Sequence, residues 1–121
     1  MNARPTAEIT LEMMRQSLYS AVVSDALDAL GYRQQSPALQ LRPLTVDRLL
    51  VGRARTTLWE TIDHEDPEPY ALELEAVDRC GNDDVFVAAA GGSLASGIWG
   101  ELLSTAAGNR GCVGAIIDGA V

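Results

Sequence analysis

The residues best placed to do chemistry lie between Gly91 and Leu103, where Gly91, Gly92, Gly97 and Gly100 precede Glu101. Glycines leave main-chain amides uncovered, and a helix starting here would add unpaired N–H groups and a partial positive charge. Together these suit a small anion such as a carboxylate or phosphate. The spacing is not Gly-x-Gly-x-x-Gly, and Gly97-x-x-Gly100 also serves close helix–strand packing. Glu101 fits either an acid/base group or an acid favoured by the helix dipole.

Other candidates carry less. His64 is the only histidine, inside segment 60–69, which holds five acids and two prolines. It reads as a solvated loop residue rather than a ligand or base. Asp25 and Asp28 stand one helical turn apart and read as a solvated face. Cys80 and Cys112 form no Cys-x-x-Cys or zinc pattern and read as buried free thiols. All nine basic residues are arginine. Without lysine there is no Schiff base and no phosphate-loop lysine. Carbonyl chemistry must then use a metal, fixed dipoles or arginine.

The elements that must hold such a site follow from periodicity. Thr10 can cap a short helix over 11–14. Val22, Val23, Ala26, Leu27 and Leu30 give residues 19–30 helical spacing, and Gly31 stops it. Residues 31–48 read as a connection with one extended piece at 39–44. A strand is expected over 49–59, with Gly52 marking a bulge or close approach. A helix follows over 70–77, then a turn at 82–84 and a buried strand at 85–90. A helix from 94 to 109, a strand over 112–117 and a turn at Asp118-Gly119 complete the chain. The apolar strands without alternation suit a βαβ unit over 84–118, covered on both faces.

The 121 residues suffice for a single domain over 1–121. Apolar residues make up 47% and only six are aromatic, so an aliphatic core is expected. A net charge of −8 disfavours nucleic acid, which needs a clustered basic face. No apolar stretch reads as a membrane span or signal core, so a cytoplasmic protein is expected.

Ala95 to Ala107, then Arg110-Gly111 and Val113 to Val121, resemble the 4-hydroxy-4-methyl-2-oxoglutarate aldolase and ribonuclease E regulator family. Val23 to Asp28 and Val51 to Thr56 agree with it in place and type. The resemblance implies an α/β fold of the swivelling β/β/α type, a layered mixed sheet flanked by helices, incomplete at the C-terminus. It implies substrate binding by Gly100, Glu101, Leu102 and Leu103. It also implies an Arg-Asp pair just past Val121, whose aspartate would hold a divalent metal, magnesium or manganese. No metal ligand is then expected within the chain.

The implied activity is class II-type cleavage of 4-hydroxy-4-methyl-2-oxoglutarate or related 2-oxo acids to pyruvate, with oxaloacetate decarboxylation. A homotrimer or hexamer with sites between subunits comes with it. The alternatives are a regulator that binds ribonuclease E, and a catalytically inert fragment.

Overall fold

The computed structural model describes residues 7–45 and 49–121. Two compact units divide the chain, Met1–Val51 and Gly52–Val121.

The first unit carries helices α1 (Leu11–Ser17) and α2 (Ser20–Ala29). Thr10 caps α1 by accepting from the Met13 N–H at 3.2 Å. Gly31, at φ +87°, turns the chain out of α2, and the Tyr32 N–H donates back to the Leu27 carbonyl. The Arg15 guanidinium donates to the Val51 carbonyl through Nε and Nη2, at 3.2 and 2.9 Å. Neither helix buries a residue. Residues 39–44 form no strand; the Leu41 N–H instead closes a tight turn onto the Leu39 carbonyl. Part of the connection expected over 31–48 lies outside the described residues.

The second unit is β1 (Arg53–Leu58), α3 (Ala71–Asp78), β2 (Asp84–Gly97), α4 (Glu101–Asn109) and β3 (Gly114–Ala120). The strands form one sheet in the order β1-β2-β3, with both pairings parallel. The α/β class holds. The sheet was expected to be mixed, but its three described strands all run the same way. Each parallel neighbour is reached through a helix, as parallel connections require.

The core is small. Phe86 and Ala88 of β2 are buried with Val77 of α3, Ala107 of α4 and Cys80. Trp59, Ile98, Trp99, Leu103, Ala115 and Ile117 pack around them. Full burial of one side chain such as Phe86 contributes roughly 1.5–3 kcal/mol. On β1 the inward row is not the more apolar one. Trp59 reaches the core and Thr57 donates to the Val87 carbonyl, whereas Leu58 is 78% exposed.

Three boundaries differ from expectation. β2 runs on through the Gly91-Gly92-Ser93 stretch to Gly97, so α4 begins at Glu101 rather than 94. Bulges between Ala89 and Ser93 and between Ser93 and Gly97 absorb the misfit in pairing. Asp118 and Gly119 belong to β3 rather than to a turn, because they pair with Ala89 and Ser93. β1 begins at Arg53, and Gly52 before it is a close approach: a Cβ there would overlap the Asp83 carbonyl.

Candidate substrate-binding turn

Gly100, Glu101, Leu102 and Leu103 are the N-cap and first turn of α4. This turn follows the C-terminal end of β2, the end of a parallel sheet where α/β proteins bind ligands. Gly100 is fully extended (φ −166°, ψ −163°), and no side chain caps the helix. Intrahelical bonding starts with the Ser104 N–H, which donates to the Gly100 carbonyl at 3.0 Å. The N–H groups of Glu101, Leu102 and Leu103 therefore precede the first helical acceptor.

The surroundings are open on one side and anchored on the other. Glu101 is exposed and Leu102 is 86% exposed, while Leu103 packs against the core. A Cβ at Gly100 would meet nothing within 4 Å. The Ile98 N–H donates to the Ala120 carbonyl at 3.0 Å, tying the approach to β3. Trp99 lies against Phe86, ring centroids 4.6 Å apart, and its indole N–H donates to Ser104 Oγ at 2.8 Å.

Of the glycines expected to line the pocket, only Gly100 stands at the helix start. Gly91, Gly92 and Gly97 lie in β2, the first two in left-handed conformations at φ +61° and +71°. The Asp118 carboxylate approaches Gly92, 3.6 Å from where a Cβ would stand. Among the described residues no group of three or more His, Cys, Asp or Glu could hold a metal.

His64 is exposed in its loop, its Nδ1 3.4 Å from the Asp63 carboxylate. A shallow depression nearby is lined by Ile62, Glu65, Asp66, Pro69 and Tyr70, none of them from the α4 turn. Asp25 and Asp28 are exposed on α2. Cys80 is buried and Cys112 half-buried, both as free thiols. Burial and a hydrogen bond with Cys80 push the Cys112 thiol up to about 12, so it stays protonated and unreactive near neutral pH.

The sequence reading passed over one charged pair. Asp84, assigned to a turn, opens β2 with only 2% exposure. Its Oδ2 accepts from Arg55 Nε of β1 at 2.7 Å and from the Gly81 N–H at 2.8 Å. Those two bonds, Arg55 first, hold the carboxyl below its usual range against the opposing effect of burial. The same bond holds the Arg55 guanidinium above its usual value. This pair fastens the N-terminal ends of β1 and β2, opposite the end where α4 begins. Its sequence signal was faint, one of two arginines in a strand with the partner 29 residues away.

No helix among the described residues is long and apolar enough to cross a membrane. No curated protein and no solved structure matches the chain. The model of the RraA-like family, described as aldolase/RraA, matches residues 20–121, which include β1 to β3, the α4 turn and the Arg55–Asp84 pair. The chain therefore belongs to the RraA-like, aldolase/RraA family.

Proposed function

We propose that this chain serves a carbon–carbon lyase acting on a pyruvoyl substrate, 4-hydroxy-4-methyl-2-oxoglutarate or a related 2-oxo acid. The observation that carries this reading is the uncapped start of α4. Three consecutive main-chain donors, at Glu101, Leu102 and Leu103, stand free behind an unobstructed Gly100. Their direction and the helix dipole favour the carboxylate of a 2-oxo acid. Membership of a family that includes aldolases supports the same reading.

Holding the carboxylate fixes the adjacent 2-oxo group, which helps the reaction by orientation. Retro-aldol cleavage moves the electron pair of the breaking C3–C4 bond into the enolate of one pyruvate. The C4 hydroxyl loses its proton and becomes the carbonyl of the second. With no lysine in the chain, that electron pair is not drawn into an iminium. In this reading electron withdrawal at the 2-oxo oxygen comes from a divalent cation, magnesium or manganese. The described residues gather no set of three or more ligands for one. A cytoplasmic homotrimer or hexamer belongs to the same proposal; exposed Leu58, Leu94 and Leu102 are surfaces that a neighbouring subunit could cover.

The test is release of pyruvate from 4-hydroxy-4-methyl-2-oxoglutarate and from oxaloacetate, with and without magnesium, in the intact protein and in Gly100→Val. Valine accepts the extended backbone and its Cβ meets nothing within 4 Å, so the fold should lose no more than about 1 kcal/mol from the poorer cap. It crowds the three donors, and pyruvate affinity should fall about tenfold or more. Unchanged affinity would move the pocket elsewhere. The net charge of −8 favours a second reading, docking on a basic segment of ribonuclease E. Capture of ribonuclease E by Gly100→Val as well as by the wild type, with no turnover by either, would select it.

A further inference from the structure

We infer that Trp99 is a positioning residue for the α4 turn: its indole, seated on Phe86 and bonded to Ser104, fixes where the donors of Glu101, Leu102 and Leu103 point. This rests on the reading that the turn holds the substrate carboxylate.

The need for a clamp comes from the chain itself. Gly97 and Gly100 flank a two-residue link, and a Cβ at either would meet nothing within 4 Å. No neighbouring side chain packs against either glycine at that position, and glycine samples more backbone conformations than other residues. No side chain caps the helix to lock its first turn. Contacts of Ile98, Trp99 and Leu103 remain to fix the turn. The Ile98 N–H is bonded to Ala120, and the Ile98 side chain lies close to Gly119. Those hold the link to β3, upstream of the turn. Leu103 packs against the core from within the helix, and Trp99, from the link before it, reaches both the core and Ser104. Its ring rests on Phe86, which has 0% exposure at the centre of the core. Its N–H crosses the turn to Ser104, the first residue with an intrahelical main-chain bond. The indole thus braces the free donors from both ends, and preorganised donors bind an anion without the cost of ordering it at that moment.

Trp99→Phe keeps an aromatic ring on Phe86 but removes the donor. Ser104→Ala removes the acceptor. Ser104→Thr keeps it. The readouts are NMR order parameters of the 101–103 amides and pyruvate titration with magnesium in the intact protein. The amides should be rigid in the wild type, near 0.85, and should fall in both Trp99→Phe and Ser104→Ala. Pyruvate affinity should drop roughly three- to tenfold in each, the worth of one hydrogen bond. The double variant should lose no more than either single one, because both remove the same bond. Ser104→Thr should match the wild type. Unchanged order parameters in both single variants would overturn the clamp. Lowered order parameters with unchanged pyruvate affinity would overturn its positioning role. A wild type that binds no pyruvate would instead sink the carboxylate site, whatever the order parameters show.

Discussion

The two ends of the sheet use glycine in opposite ways. At the end where the strands begin, Gly52 and Gly111 are hemmed in. A Cβ on Gly52 would overlap the Asp83 carbonyl, and one on Gly111 would lie 2.7 Å from the Asn82 Cα and 2.9 Å from its nitrogen. Gly111 also sits at φ +102°. The buried Asp84 carboxylate is bonded between them. At the other end Gly97 and Gly100 face open space. Glycine is required at the first end because backbone fills the room of a side chain. At Gly97 and Gly100 neither the space nor the backbone angle demands it. The difference separates a glycine that serves the fold from one left clear for something outside it.

The sharpest way to break this contrast is alanine substitution at both ends. Gly111→Ala and Gly52→Ala should each cost about 2–4 kcal/mol in urea unfolding, since backbone must shift. Gly97→Ala should stay within about 0.5 kcal/mol of the wild type. Equal losses at 97 and 111 would erase the distinction.

Asp84→Asn comes next. The folded carboxyl titrates below its unfolded value, near 3.9. Its contribution is therefore present above about pH 4 and is lost as pH falls through the folded value. The Tm gap between wild type and Asp84→Asn should be widest near neutrality and should close on acidification. A gap constant down to pH 2 would mean that the ion pair contributes nothing.

A smaller effect should appear in thiol chemistry. With Cys112 pushed up to about 12 and Cys80 buried, iodoacetamide at pH 8 should leave both unmodified in the native protein and label both in urea. Rapid native labelling of Cys112 would show this region to be more open. His64→Ala should change turnover least of all, because that ring is exposed and meets only the neighbouring Asp63. A large loss would bring the acidic loop into the site.

Much of this was legible in the residues. The apolar spacing of Val22, Val23, Ala26 and Leu27 gave α2, and Gly31 gave its stop. A strand within 49–59, a helix over 70–77 and the apolar run at 85–90 followed from pattern and turn residues, and β1, α3 and the first half of β2 lie there. The far half of β2 did not. Gly91-Gly92-Ser93 has the composition of a turn and does bulge there, and the strand continues past it only through pairing of Ser93 with Gly119 and Gly97 with Ala120. Asp84 was hidden for a related reason. Asn82-Asp83-Asp84 reads as solvated, and the arginine that buries its last member comes from another strand. For the site, residues 100–103 came as a unit from the family resemblance, whereas periodicity placed the start of the helix at 94, seven residues before Glu101. The Trp99–Ser104 bond was not found, since nothing in residue type announces which hydroxyl an indole will meet.

The bulged stretch of β2 has a further effect. From Ala89 to Gly97 that strand advances eight residues while β3 advances two, from Asp118 to Ala120. The surplus is slack, like rope paid out over a short drop, and its length determines where α4 is launched. Adding or removing one residue between Ala90 and Ser96 should disturb the Ser93–Gly119 pairing or turn the helix entrance about its own axis.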